Sequence, residues 1–238
     1  MVLPLYVNEE YLNYNIQQFV NWDPSVHPHC AIFGASGSGK TYALRLLLGR
    51  IGLHVPGAEV IVCDYKGDDD FSFLNGLANF YRFSDCLHGL ENIVSLLKER
   101  QQNCNDKHFV AFVFDEWASF ISSLDKKTAD NARQSLALLL QLGRSFHIHV
   151  ILSQQRMDSS YFASARDNFS VILGMGKLSK EAVEMMFSEF KEQINRTKPR
   201  GYGSLVMGSD FYNVVVPKVL DPARLEECIY RVVARNIP

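Results

Sequence analysis

No run of about 18 consecutive apolar residues occurs in the chain, so a membrane-spanning helix is not expected. The start, MVLPLYVNEEYL, lacks the basic opening and apolar centre of a secretory leader. Cysteines are few, odd in number and scattered (Cys30, Cys63, Cys86, Cys104 and Cys228), and none are spaced C-x-x-C. That usage points to a reducing, cytoplasmic setting with neither a disulfide framework nor a zinc site. Net charge is only −2, so any contact with nucleic acid has to be local, not a property of the whole surface. Internal repeats and low-complexity linkers are also missing. What remains is 238 residues, 47% hydrophobic and 21% charged, enough for one large domain with a real core.

The most informative stretch is His29–Tyr42, HCAIFGASGSGKTY. The apolar run Cys30–Phe33 leads into Gly34, Ala35, Ser36, Gly37, Ser38, Gly39, Lys40 and Thr41, and a leucine-rich helical pattern follows over Leu44–Ile51. This is the spacing G-x-x-x-x-G-K-[ST] between a strand and a helix. The glycines let several backbone N–H groups turn toward one phosphate chain, and the helix start adds about half a positive charge. Lys40 is expected to reach the phosphates, the Thr41 hydroxyl to bind Mg²⁺, and Tyr42 to border the nucleotide. A plain Gly/Ser surface loop does not account for a lysine and a threonine at a helix start.

Further unalternating apolar runs are Ala58–Asp64 and His108–Asp115, the pattern of parallel strands covered on both faces. The second ends in Asp115-Glu116. A carboxylate at the tip of such a strand lies where open α/β sheets bind ligands. Asp115 is expected to hold the Mg²⁺ water shell, and Glu116 to act as general base toward water. Ile148–Ser153 is another such strand. The polar Gln154-Gln155-Arg156 after it could face the γ-phosphate or form an ordinary loop.

Elsewhere, Leu3–Val7 reads as a short strand or hairpin, Ala78–Phe83 as a strand, and Leu87 to about Gln102 as an amphipathic helix. Asp68–Asp70 reads as a solvated acidic loop. Thr128 is read as the N-cap of a helix reaching Gly143. Residues 156–170 are polar loop and short helix, Val171–Gly174 a strand, and Ser179 opens a helix. Lys191–Arg200 is rich in basic residues with a single acid; a solvated loop is expected over a nucleic-acid patch. Gly201–Val216 reads as an edge hairpin turning at Gly208–Asp210, and Asp221-Pro222 starts a final amphipathic helix. The pairs His27/His29 and His147/His149, two apart, are expected on strand faces in structural roles.

These pieces, in this order, resemble the FtsK/SpoIIIE branch of the FtsK–HerA ATPases. Pro28-His29 before GASGSGKT is similar to the family's strand and loop, Asp64-Tyr-Lys-Gly67 to its D-P-K-G, and FVFDEWASF to its Walker B segment. Leu142–Arg156 resembles G-R-x-x-G-I-H-x-x-x-A-T-Q-R, without the proline that usually follows. Arg166–Phe169 with Ile172–Gly174 is similar to a stretch of coupling ATPases in integrative conjugative elements. The resemblance implies a RecA-like P-loop fold, a mostly parallel sheet flanked by helices with a C-terminal hairpin and helix. It divides a single domain into a lead-in (1–27), a nucleotide-binding core (28–176) and a C-terminal part (177–238). It further implies ATP and Mg²⁺ as ligands, Gln155 as γ-phosphate sensor, and Arg144, with Arg166 second, as an arginine given to a neighbouring subunit. Implied partners are double-stranded DNA, five further copies in a hexameric ring, and a relaxase or another protein.

Small viral genome-packaging ATPases share this build. A GTPase-type switch is the competing class, since Asp64-Tyr-Lys-Gly67 also satisfies D-x-x-G. It lacks an [NT]-K-x-D segment and leaves Asp115-Glu116 idle. A nucleotide-binding subunit without hydrolysis is a third class, and an intact Glu116 speaks against it.

Overall fold

The computed structural model describes residues 2–103 and 108–235; Cys104 lies outside them. One ten-stranded sheet runs in the order β2-β1-β10-β9-β8-β3-β7-β6-β4-β5. The strands are β1 (Leu3–Asn8), β2 (Phe19–Trp22), β3 (Cys30–Phe33), β4 (Glu59–Asp64), β5 (Phe80–Arg82), β6 (Val110–Asp115), β7 (Ile148–Gln154), β8 (Val171–Met175), β9 (Tyr202–Met207) and β10 (Asp210–Val215), with a short helix α1 (Glu9–Leu12) between β1 and β2. From β8 to β5 neighbours are parallel. From β8 to β2 they are antiparallel.

Every residue of β3, β4, β6 and β7 is buried, as their unbroken apolar runs require. Alternate residues feed two cores. Ile32, Val60, Val62, Ala111 and Val113 pack with α2 (Lys40–His54) and α7 (Pro222–Val233). Phe33, Ile61, Phe112 and Phe114 pack with α3 (Cys86–Gln102), α4 (Trp117–Ser123), α5 (Lys126–Leu142) and α6 (Lys180–Met186). On the first side, α2 and α7 touch through glycines: a Cβ on Gly49 would stand 2.1 Å from Leu225 Cδ1, and one on Gly52 2.2 Å from the Cys228 carbonyl oxygen.

The structure corrects several expectations. The cap of α5 is Asp125, whose carboxylate accepts from the Lys127 and Thr128 N–H groups at 3.0 and 3.2 Å. Thr128 is therefore inside the first turn, and the helix ends at Leu142. The hairpin β9–β10 is interior, because β1 from the far end of the sequence pairs with β10 and leaves β2 at the edge. Lys198 is buried beside Glu9, to which it is ion-paired, and so is not part of a solvated loop. Neither histidine pair shares a strand face: His147 closes a turn at φ 56°, and His29 precedes β3. His29 Nδ1 accepts from Val150 N–H at 3.0 Å, and His149 Nδ1 donates to the Pro28 carbonyl at 2.9 Å. Burial pushes their pKa values down to about 3 and about 4. Asp68 and Asp70 are exposed and paired with Lys66 and Arg45, as a solvated loop should be. Among the described residues no helix is long and apolar enough to cross a membrane.

Candidate functional site

The loop after β3 owes its shape to glycine. Gly34, Gly37 and Gly39 have φ of +151°, +77° and +101°. A Cβ on Gly34 would lie 2.4 Å from the Met175 carbonyl oxygen, so β8 presses on the loop from behind. Lys40, nearly buried, donates to the Gly34 and Ala35 carbonyls at 2.9 and 3.2 Å. Burial lowers its pKa, while the charges of Glu116 and Asp115 oppose that shift. Ser38 Oγ is buried with no hydrogen-bond partner among the described residues. Its carbonyl accepts from Gly201 N–H at 3.2 Å. Thr41 and Tyr42 follow in the first turn of α2. The Tyr42 hydroxyl lies against Pro217–Val219 at the chain's C-terminal side.

The strand order decides what faces this loop. Between β3 and β6 lies β7, so residues just after β7 stand between the glycine loop and the carboxylates. Asp64, Asp115 and Ser153 are register partners at the same ends of β4, β6 and β7. Burial raises the Asp115 pKa to about 7, with Ser153 pulling it down and the charges of Glu116 and Asp64 adding to the rise. Burial also raises Asp64, although its carboxylate accepts from Gly67 N–H at 2.9 Å and faces Arg82 at 3.4 Å.

Glu116 turns the chain from β6 into α4. Its φ of +63° is left-handed, an unusual and strained choice for a residue with a side chain. Its N–H donates to the Ser153 carbonyl at 2.7 Å, which fixes the turn to β7. Glu116 lines a cleft of about 700 Å³ together with Tyr65, Lys66, Ser119, Phe120 and Gln155. Gln155 also lines a second cleft, of about 360 Å³, with Gly34, Ala35, Ser36 and Arg156. Gln155 thus links the glycine loop to Glu116. Its neighbour Gln154 serves the scaffold instead. Gln154 is wholly buried, and its side chain accepts from Ala118 N–H at 3.2 Å, tying α4 to β7.

Arg144 is not brought to this site. It sits in the turn Gly143–Phe146 before β7, its Nε donating to the Ser25 carbonyl at 2.9 Å. The seven residues of β7 separate it from Gln155, roughly 23 Å at a strand's usual rise. Arg166 lies in another short turn, donating to the Met157 carbonyl at 3.4 Å. Ser38 was expected in the loop, and Asp64 was singled out with Tyr65-Lys66-Gly67, but not as a carboxylate beside Asp115. Sequence reasoning missed Gly201 as a contact of the loop, and no local signal marks it.

A phosphate group fits the loop on two grounds: the unpartnered Ser38 hydroxyl, and the Gly34 backbone bent where a side chain would collide. A hard cation fits the Thr41 hydroxyl and the Asp115 carboxylate, both oxygen donors, with Asp115 raised by burial. The family model described as the central domain of the helicase HerA matches residues 11–193, more than half of the chain.

The chain belongs to the HerA central-domain family. The chain is also similar to the FtsK domain-containing protein YdcQ of Bacillus subtilis, 29% identical over 230 residues. That match covers 87% of this chain and 47% of YdcQ, so the chain spans about half the length of this relative. Among solved structures, the cytoplasmic domain of the type VII secretion ATPase EccC from Thermomonospora curvata superposes with a TM-score of 0.72 at 15% identity, over 99% of this chain and 31% of EccC. The conjugation coupling protein TcpA of pCW3, in a monomer form with ATPγS, gives 0.71 at 17% identity, over 97% of this chain and 70% of TcpA. At such identities these two establish the fold alone, a largely parallel sheet flanked by helices. The match to the HerA family takes in β3, β6 and β7 with the residues that follow them.

Proposed function

We propose that the chain is an ATPase motor that moves double-stranded DNA, working as a homo-hexameric ring on the cytoplasmic side in DNA transfer or segregation. The observation that carries the chemical part is the convergence of Gln155 on both the Gly34–Ser36 cleft and the Glu116 cleft. Backbone N–H groups of residues 34–41 and Lys40 hold the phosphates. Thr41 and Asp115 are the residues that would hold Mg²⁺, whose charge would offset that of the phosphate oxygens. Glu116 takes the proton of the attacking water, which forms a bond to the γ-phosphorus as the bond to the leaving ADP oxygen breaks. Gln155 orients that water and reads the γ-phosphate. Arg144, remote from its own site, serves the site of a neighbour.

The motor part rests on kinship and on where basic residues lie. YdcQ carries an FtsK domain and TcpA is a conjugation coupling protein. Lys126 and Lys127 are exposed on the first turn of α5, and Arg156–Arg166 follows the sensor strand. Both are proposed as phosphate-contacting pore segments, which give affinity without base reading. ATP turnover is measured with and without duplex DNA at low and moderate salt, where stimulation that weakens with salt is expected. Turnover indifferent to DNA at both salts overturns the motor reading.

A further inference from the structure

Helices α2 and α7 leave a groove of about 260 Å³ along the outside of their contact. Each helix gives it one stripe: Leu46, Gly49, Arg50 and Leu53 from α2, and Asp221, Arg224, Leu225 and Cys228 from α7 and its cap. Both sets fall at i, i+3, i+4 and i+7, the positions that share one side of a helix. Leu53 is 52% exposed, so the α2 stripe stays apolar out to the solvent. Gln17, Phe19 and the segment Pro217–Val219 complete the lining. That segment is held in place by the Tyr42 hydroxyl, which accepts from Val219 N–H at 2.6 Å and donates to the Pro217 carbonyl at 3.4 Å. Charge in the groove is lopsided: Arg50, Lys218 and Arg224 stand against Asp221 alone. Asp221 is already engaged in capping α7, accepting from Arg224 N–H at 3.0 Å. None of the three cations is ion-paired among the described residues. Arg45 on the same helix shows the contrast, reaching Glu226 at 2.7 Å. Arg50 Nε is buried without a hydrogen-bond partner, and burial lowers the pKa of the group. Its guanidinium lies 4.6 Å from the centroid of the Phe19 ring, but a ring is not the anion that a half-buried cation calls for.

We propose that this groove docks an amphipathic helix of a partner protein, with Leu, Ile or Phe laid between α2 and α7 and Asp or Glu along its flank. Two helices side by side present the kind of surface on which a third packs, and apolar residues at helical spacing are what such a groove reads. Charge complementarity calls for an acidic occupant: three unpaired cations repel a basic helix, and carboxylates supply the anion that Arg50 lacks. The acidic helix of this chain, α1, has four residues, too short to follow stripes two turns long, which points to another protein and not to a second copy. No residue of 34–41 lines the groove, so the proposal stands apart from the nucleotide reading.

The probes are two fluorescein-labelled, capped peptides of about 18 residues, long enough to form helix. Both carry leucines at i, i+3, i+4 and i+7; one has glutamate at the flanking positions and the other lysine. Anisotropy titrations with the full chain are expected to show saturable binding of the glutamate peptide, at least about tenfold tighter than the lysine peptide and weakening with salt. Leu53→Asp should weaken the glutamate peptide by about tenfold or more. Lys218→Glu combined with Arg224→Glu should reverse the preference, and a gain of the lysine peptide also reports that this variant is folded. All three side chains are exposed, so their replacements leave the core alone. The proposal is overturned if the glutamate peptide fails to bind wild type, binds no better than the lysine peptide, binds Leu53→Asp equally, or keeps its preference in the double variant. Self-association in sedimentation that Leu53→Asp abolishes would assign the groove to a second copy and overturn it as well.

Discussion

Asp115 is held in a place that suits a cation and penalises a bare carboxylate. Its folded pKa, about 7, lies above the unfolded value near 4, so between these pH values the folded chain binds more protons than the unfolded one. The resulting stability is complete below about pH 4 and is lost as pH rises through 7. Asp115→Asn removes the charge at nearly constant shape. It should stabilise the nucleotide-free protein at pH 8 by up to about 4 kcal/mol, read as a higher melting temperature. That gain should shrink toward pH 4; a gain constant with pH would remove proton linkage as its cause. Glu116 carries a different strain, that of its backbone at φ +63°. Glu116→Gln keeps volume and conformation but cannot accept the water's proton. We expect turnover to fall at least a hundredfold, the usual scale for general-base loss, while ATP affinity stays within a factor of about two. Turnover near wild type would return the chain to a binding-only role.

At the scale of elements, α2 and α7 show how tightly this fold is set. At Gly49 an added methyl meets the tip of Leu225, a side chain that can turn aside, whereas at Gly52 it meets the Cys228 backbone oxygen. Gly52→Ala should therefore cost about 2 kcal/mol or more in urea unfolding, and Gly49→Ala clearly less. Asp125→Ala removes the cap of α5 and should cost about 1 kcal/mol, with Thr128→Ala nearly neutral. The sequence was legible wherever one local rule decided the outcome. The buried strands β3, β4, β6 and β7 followed from unbroken apolar runs, and α7 from its apolar spacing and Asp221-Pro222. Asp125 was passed over because Thr128 is also a capping residue, and only the turn geometry chooses between them. Helix α4 was missed because Glu116 reverses the backbone in one residue, a strain imposed by β7 through the Ser153 carbonyl. The hairpin β9–β10 had a clear turn, but its neighbour β1 comes from some 200 residues away in a chain of 238, and no local pattern announces that pairing. In the candidate site, the glycine loop and Asp115-Glu116 stood out as motifs, and Gln155 was singled out by the family resemblance alone. The unpartnered state of the Ser38 hydroxyl and the contact from Gly201 were not legible, since both depend on how distant segments meet.

For the whole molecule, the distance between Arg144 and its own glycine loop matters most. If a site is completed by the next subunit, mixed assemblies behave unlike diluted ones. Adding Lys40→Ala protein to wild type should depress turnover per wild-type copy, more steeply than its fraction in the mixture; linear decline would argue for self-sufficient subunits. The proposed ring would keep identical sheets permanently close together. Each sheet here ends in a poor template: β5 is three residues long, with Arg82 turned to Asp64, and β2 is four residues long beside a β1 whose register shifts after Pro4. Short, irregular borders offer few free N–H and C=O groups in a row for another copy to zip onto. Neighbours can then slide and rock against one another without fusing into a continuous sheet, a protection against aggregation that a machine of repeated parts requires of every part.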